Sequence, residues 1–138
     1  MMTKAQGQTT VGAFMTACPK SVNFDQTLAE ASALMSEHAV RHLPVLKDGN
    51  VVGVLSDRDV AVIESLAATP SERIRVVEAM TPVPYAVPAD TPLVRVVRRM
   101  AAEKYGCAII TDPSGRDAIG IFTTIDALTV LRTLLGDQ

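Results

Sequence analysis

The sequence has little of what several classes of protein depend on. Its two cysteines, Cys18 and Cys107, are too few for a disulfide framework and form no Cys-x-x-Cys pair, so we expect two reduced, partly buried thiols. No apolar run approaches the ~18 residues of a membrane span, and the first residues lack the apolar core of a signal peptide. We therefore expect a cytoplasmic protein in which residues 1–10 form a disordered lead-in.

Signatures of catalysis and of nucleic-acid binding are scarce as well. The spacings of zinc proteases, serine hydrolases and phosphate-binding loops are absent, so we expect no enzymatic activity, no metal site and no catalytic cofactor. The net charge of −2, with two tyrosines, three phenylalanines and no tryptophan, disfavours nucleic acid as a partner. A basic stripe at Arg95, Arg98 and Arg99 indicates a solvated helix face, with nucleic acid or an acidic protein partner as alternatives.

What the sequence does contain is an internal repeat, in which residues 11–59 recur as residues 76–126. The offset is 65 residues before the turn at 47–50 and 67 after it, because the corresponding turn at 112–117 is longer. Two similar units in one small chain predict packing about a pseudo-two-fold axis. The matched pairs include Met15 and Met80, Thr16 and Thr81, Leu28 and Leu93, Met35 and Met100, Gly53 and Gly120, Ser56 and Thr123, and Asp59 and Asp126.

Each copy has the pattern of a β-α-β-β-α unit. Apolar residues at helical spacing predict the first helix of each copy. A capping box of Thr27 with Glu30 marks its start in the first copy, and Thr91 as N-cap before Pro92 marks it in the second. The predicted strands are residues 21–24, 43–46 and 51–55 in the first copy and 85–87, 108–111 and 118–122 in the second.

These patterns predict an α+β fold with two small mixed sheets, each covered by helices on one face. The first repeat is expected over residues 11–68 and the second over 76–138, with a linker at 69–75. At this length the two repeats form one module, because either half alone would be marginal at burying a core.

Four motifs carry a resemblance to a known family. They are Phe-Met-Thr-x-x-Pro from residue 14, Asp-x-x-Leu-x-x-Ala from residue 25, Arg-His-Leu-Pro-Val from residue 41 and Gly-Val-Leu-Ser-Asp-Arg-Asp from residue 53. Over roughly residues 11–135 the chain resembles a cystathionine β-synthase (CBS) domain pair, also called a Bateman module. The resemblance implies tandem repeats that bind adenosyl ligands in the cleft between them, form disc-shaped dimers and regulate other proteins without catalysing a reaction.

The candidate ligand-binding motif lies where a strand ends and a helix begins. Ser56 and Asp59 place a hydroxyl and a carboxylate three residues apart, at a helix start whose unpaired N–H groups suit a phosphate. Asp59 can accept hydrogen bonds from a ribose diol, and Arg58 can offer planar donors to a phosphate. The alternative is ordinary helix capping by Ser56 or Asp57 with Arg58 solvated.

The second copy keeps the hydroxyl and the carboxylate, as Thr123 and Asp126, but has Ile125 in place of Arg58. It also lacks a basic pair, because Gly106 and Cys107 replace Arg41 and His42. We therefore expect one good nucleotide site, around Ser56, Arg58 and Asp59, and a weaker one in the second copy.

Two further assignments follow from the resemblance. Arg41 and His42 are expected to contact phosphate, the alternative being that Arg41 pairs with Glu37 and His42 is a satisfied strand residue. An apolar slot for adenine is implied in each copy. Its residues are Thr16, Pro19, Val22, Leu43 and Pro44 in the first copy and Thr81, Pro84, Val87, Ala108 and Ile109 in the second.

The resulting hypothesis is a regulatory module that senses AMP, ADP, ATP or S-adenosylmethionine, forms a homodimer and signals to an effector protein in trans. An alternative is a dimerisation or protein-interaction platform with vestigial clefts. A redox or metal sensor that uses Cys18, His42 and Cys107 is a less favoured alternative.

Overall fold

The computed structural model describes residues 9–17 and 20–136. Cys18, Pro19 and all but the last two residues of the expected lead-in lie outside these ranges. The strands are β1 (Thr16–Ala17), β2 (Val22–Asn23), β3 (His42–Lys47), β4 (Asn50–Ser56), β5 (Thr81–Pro82), β6 (Ala86–Pro88), β7 (Cys107–Thr111) and β8 (Ala118–Thr123). The helices are α1 (Leu28–His38), α2 (Asp57–Leu66), α3 (Leu93–Glu103) and α4 (Thr124–Leu135), with short 3₁₀ turns at Val11–Ala13, Ser71–Arg73 and Val76–Glu78.

The chain forms two compact units. The central unit is Lys20–Pro84, and the terminal unit combines residues 9–17 with 85–136. The boundaries of these units differ from those of the sequence repeats, because the leading segment of each repeat belongs to the unit built mainly from the other.

The central unit is a four-stranded mixed sheet in the order β2-β3-β4-β5, in which β2 and β3 are parallel and the other pairs antiparallel. Strand side chains alternate between faces, and one face packs against α1 and α2. Leu28 and Met35 of α1 and Val60 of α2 lie in a buried cluster with Leu43 and Leu55 of the sheet. Burial of this apolar face holds the helices on the sheet.

The terminal unit repeats the arrangement with the sheet order β1-β8-β7-β6. Here β6 and β7 are parallel, and β1 and β7 each pair antiparallel with β8. Its core contains Val96 and Met100 of α3 with Ala108, Ile110 and Phe122 of the sheet. The predicted α+β class, with two small mixed sheets and helices on one face, is confirmed.

Strands β1 and β5, which come from the leading segment of one repeat and join the sheet of the other (the exchanged strands), explain two glycines. A Cβ on Gly53 in β4 would lie against the sulfur of Met80 and 2.9 Å from the carbonyl oxygen of Thr81 in β5. A Cβ on Gly120 in β8 would likewise meet the sulfur of Met15. Each strand therefore requires a residue without a side chain where the exchanged segment crosses it.

The helix starts are only partly as predicted. Thr27 and Glu30 form the expected capping box at α1. The prediction of Thr91 as N-cap of α3 is wrong, because the N-cap is Pro92 and no side chain caps the helix. The N–H of Leu93 donates instead to the carbonyl oxygen of Thr9, at 2.8 Å, so a segment distant in sequence satisfies the group that Thr91 was expected to serve.

Within the described residues, no helix has both the length and the apolar character needed to cross a membrane.

Candidate functional site

In the central unit, the start of α2 lies beside the start of β3. The antiparallel pairing of β3 with β4 places His42 opposite Ser56, and the N–H of Asp57 donates to the carbonyl oxygen of Arg41 at 2.9 Å. The fold thus brings together the residues of the predicted motif and of the predicted basic pair.

Ser56 and Asp59 form a reciprocal capping box. The Ser56 hydroxyl oxygen accepts from the N–H of Asp59 at 3.0 Å, and Oδ2 of Asp59 accepts from the N–H of Ser56 at 3.0 Å. No described residue donates to the other carboxylate oxygen, Oδ1 of Asp59. Capping and ligand binding are therefore compatible, because one oxygen caps the helix while the other remains available to a ligand hydroxyl.

The site combines two cations, Arg41 and Arg58, with two carboxylates, Asp57 and Asp59, at a helix N-terminus. Arg41 and Arg58 are exposed, and within the described part of the chain no ion pair joins Arg41 to Glu37. Burial lowers the pKa of His42 from its usual value of 6.5, partly offset by the nearby carboxylates of Asp57 and Asp59. His42 is consequently neutral at pH 7 and can either donate or accept a hydrogen bond.

The terminal unit builds the equivalent motif at the start of α4. Oδ2 of Asp126 accepts from the N–H of Thr123 at 2.9 Å, and the hydroxyl oxygen of Thr123 accepts from the N–H of Asp126 at 3.2 Å. The other carboxylate oxygen, Oδ1, accepts from the hydroxyl of Thr16 on β1 at 3.0 Å. Both oxygens of Asp126 are thus engaged by the protein, in contrast to those of Asp59.

The surroundings of the terminal motif lack the cations of the central one. Cys107 is half-buried and lies opposite Thr123, where the central unit has His42 opposite Ser56. The N–H of Thr124 donates to Gly106, and Ile125, in place of Arg58, is 65% exposed. Neither substitution supplies a positive charge for a phosphate.

The residues predicted to line the adenine slot fall in different environments. Val22 and Leu43 are buried in the core of the central unit, and Ala108 in that of the terminal unit. Pro44 and Ile109 are also buried but alternate with core residues, so they point to the opposite sheet face.

Four more slot residues lie at the edges of the units. Thr81 pairs with Val54 in the central unit, whereas Thr16 lies beside Asp126 in the terminal unit. Pro84 and Val87 are half-buried and Pro19 is outside the described residues. Each Met-Thr pair therefore lies near the helix-start motif of the other repeat, and the slot itself stays a prediction.

The sequence reading missed the strands β1 and β5, which bring Thr16 and Thr81 to these motifs. The signal for them was a single glycine inside each apolar strand, at Gly53 and Gly120, which indicates a close approach of another backbone. The pattern alone did not say which segment approaches.

The described residues contain no cluster of three or more histidine, cysteine or acidic side chains that could hold a metal ion. His42 lies in the central unit and Cys107 in the terminal unit, while Cys18 lies outside the described ranges. The metal and redox alternative therefore stays an untested hypothesis.

The fold and the paired helix-start motifs define a class of protein. The model of the CBS domain family matches residues 11–64 and 76–133, one match for each repeat. The chain therefore belongs to the CBS domain family, as a pair of such domains.

Comparison with individual proteins agrees with this assignment. A CBS domain-containing protein of Dictyostelium discoideum is 28% identical over 125 residues, covering 83% of this chain and 86% of its own. The structure of a putative acetoin utilization protein (AcuB) from Vibrio cholerae has a TM-score of 0.78 at 25% identity and covers 93% of both chains. CBSX2, from Arabidopsis thaliana, in complex with AMP has a TM-score of 0.78 at 26% identity, covering 91% of this chain and 98% of that one.

Proposed function

We propose that this CBS domain pair is a non-catalytic regulatory module that binds an adenosyl nucleotide at the start of α2. The observation that carries the proposal is the arrangement around Asp59, a half-buried carboxylate with one oxygen unengaged, at a helix N-terminus flanked by Arg41, His42 and Arg58. The binding of AMP by the related CBSX2 supports an adenine nucleotide as the ligand.

Each group at this site has a distinct task. Oδ1 of Asp59 accepts a hydrogen bond from a ribose hydroxyl, as acidic residues do in dinucleotide-binding folds. The helix N-terminus and the guanidinium groups of Arg41 and Arg58 attract the phosphate. His42 contributes a hydrogen bond and, if protonated by the approach of the phosphate, a further positive charge.

Regulation requires that the ligand distinguish two states of the module. A nucleotide that binds one arrangement more tightly shifts the population towards it, whereas one that binds both equally shifts nothing. We propose that the favoured arrangement is read by an effector protein in trans, and that the module acts in the cytoplasm.

The thermal stability of the purified protein tests the proposal. AMP, ADP, ATP and S-adenosylmethionine are compared with GMP and IMP as controls. A ligand at about 100 times its Kd adds roughly 2.7 kcal/mol to the free energy of unfolding, or roughly 5–10 °C in Tm. We expect the shift for adenosyl ligands in the wild type and its loss in Asp59→Ala.

Asp126→Ala is the matched control, because it removes the equivalent carboxylate in the terminal unit. It should retain most of the shift. Equal losses in both variants would contradict a single dominant site, and no shift with any ligand at millimolar concentration would contradict nucleotide sensing.

One observation favours the second candidate function, a dimerisation platform. Helix α4 exposes an apolar stripe at Ile125, Leu128 and Leu135, which are 65%, 59% and 74% exposed. Exposed apolar stripes of this kind mark association surfaces. We propose that the stripe mediates a homodimer, so Leu128→Glu should convert a dimer to a monomer in analytical ultracentrifugation while leaving the thermal unfolding transition cooperative.

A further inference from the structure

The outer surface of α3 carries positive charges that destabilise the helix itself. Arg95, Arg98 and Arg99 are spaced so that all three lie on one face, and like charges at these spacings destabilise a helix. The first turn has no acidic residue, and Arg95 lies in that turn, where the helix dipole disfavours a cation. No described carboxylate forms an ion pair with any of the three.

An exposed apolar stripe lies directly beside the arginines. Val94 and Val97 are 47% and 40% exposed, and Ala101 continues the stripe one turn further. At 3.6 residues per turn, Arg98 lies between this stripe and the other two arginines. The face therefore joins an apolar half to a cationic half, while the opposite side of the helix buries Val96 and Met100.

The adjacent tyrosines do not provide a surface for nucleic-acid bases. Tyr85 and Tyr105 are half-buried and stack on each other with ring centroids 5.4 Å apart, and the guanidinium of Arg99 lies over the Tyr85 ring at 5.5 Å. The stacking covers one face of each ring and Arg99 also lies over Tyr85, whereas binding of single strands relies on free aromatic faces. A phosphate backbone would also leave the valine stripe exposed.

The equivalent face of α1 shows that the fold does not require this pattern. The positions that correspond to Arg95, Arg98 and Arg99 are Glu30, Ala33 and Leu34. Glu30 caps α1, so the same helix in the central unit has the charge its dipole favours. The arginines of α3 are thus a local feature of the terminal unit.

We propose that this face of α3 is the docking surface for an acidic, amphipathic segment of the effector protein, an inference that rests on the trans-acting role proposed above. Carboxylates of the partner form bidentate pairs with the arginines, and its apolar side covers Val94 and Val97. Docking supplies negative charge beside the first turn of α3, which has no acidic residue of its own.

A synthetic peptide tests the proposal without nucleotide, so docking and nucleotide sensing can fail separately. The probe is a fluorescein-labelled amphipathic helix of about 18 residues, five turns, with leucine on one face and glutamate on the other. The comparison peptides are a shuffled sequence and one with lysine for glutamate. Fluorescence anisotropy should show binding of the glutamate helix that weakens with added salt, and little binding of the others.

The decisive variants are Arg98→Glu and Arg73→Glu, which change the net charge equally. Arg98→Glu should weaken peptide binding at least tenfold and Val97→Ser threefold or more, whereas Arg73→Glu, in the exposed turn of the central unit, should change it less than twofold. Arg95→Glu should weaken binding while raising the Tm, because it favours the helix dipole. That opposite effect on binding and stability would not arise from unfolding.

Other outcomes would overturn the proposal. Equal effects of Arg98→Glu and Arg73→Glu would indicate charge attraction without a defined site. Binding of a thymidine oligonucleotide that is as tight as that of the peptide, and is lost in Arg98→Glu, would assign the face to nucleic acid. Dissociation of a dimer by Arg98→Glu would assign it to a second copy of the chain.

Discussion

The starts of α2 and α4 share a backbone arrangement and differ in what surrounds it. In both, a hydroxyl at the N-cap and an aspartate three residues later satisfy each other's N–H groups. In both, the first N–H of the helix donates to the residue that precedes the neighbouring strand, Arg41 or Gly106. These bonds are needed for the helix to start, so both units retain them whatever they bind.

The side chains around the two motifs have diverged. One carboxylate oxygen of Asp59 accepts no hydrogen bond from the described residues, whereas both carboxylate oxygens of Asp126 accept one. The neighbours of Asp59 are Arg41, His42 and Arg58. A motif that caps a helix is therefore not by itself a ligand site. The neighbouring charges and the unused hydrogen-bonding capacity distinguish the site from its structural counterpart.

The largest expected effect concerns a feature that both units share, the close approach of β5 to β4 and of β1 to β8. Gly53→Ala and Gly120→Ala should each lower the free energy of unfolding by about 1–3 kcal/mol, because the added methyl meets a methionine sulfur and a carbonyl oxygen. Gly106→Ala is the control, since nothing lies within 4 Å of its added Cβ. Urea unfolding measures all three, and a Gly53→Ala protein as stable as Gly106→Ala would contradict the crossing.

The next effect tests how the units differ in charge. Under the proposed function, Arg58→Ile should weaken AMP binding about tenfold, or about 1.4 kcal/mol, and should leave adenosine nearly unaffected, because the guanidinium acts on the phosphate. The reciprocal variant, Ile125→Arg, should strengthen any AMP binding at the terminal motif. Calorimetric titration with AMP and adenosine measures the difference, and an equal loss for both ligands in Arg58→Ile would argue against phosphate recognition by this residue.

A smaller effect tests the engaged carboxylate of the terminal unit. Thr16→Val removes the hydrogen bond to Asp126 and should cost about 0.5–1 kcal/mol of stability. Thr81→Val should be close to neutral, because the hydroxyl of Thr81 donates to no described residue. Chemical denaturation of the two variants compares them directly, and equal stabilities would show that the Thr16 bond contributes nothing.

Much of each unit could be predicted from sequence because its determinants are local. The capping box of Thr27 with Glu30 and the helix start at Ser56 follow from residues within one turn. Alignment of the two repeats also shows which side chains differ, so the sequence alone predicts the contrast between Arg58 and Ile125.

What escaped prediction depends on contacts between distant segments. Thr91 has the residue type of an N-cap, but the carbonyl of Thr9 serves the helix end instead. Strands β1 and β5 have two residues each, too few for a period-2 pattern, and form only because another strand lies alongside. The sequence showed the capping potential of Asp126, but its bond to Thr16 spans 110 positions and required the fold.

The smallest expected effect concerns His42, which the terminal unit replaces with Cys107. Burial lowers the pKa of His42 in the folded protein below its usual 6.5. Below about pH 6.5 the unfolded chain therefore binds a proton that the folded protein does not, and the free energy of unfolding falls as the pH falls towards the folded pKa. Above about pH 6.5 neither state binds this proton, so the contribution of His42 to stability is fully present.

Melting curves between pH 8 and pH 5 should thus show a decline that begins near pH 6.5 in the wild type and is reduced in His42→Gln. His38→Gln is the control, because it removes a histidine that is exposed at the end of α1. Since a bound phosphate favours protonated His42, saturating AMP should also reduce the decline in the wild type and have no such effect in His42→Gln. A decline that is the same in all three proteins would show that other groups cause it. His42 would then not be one of the residues that distinguish the central unit from the terminal unit.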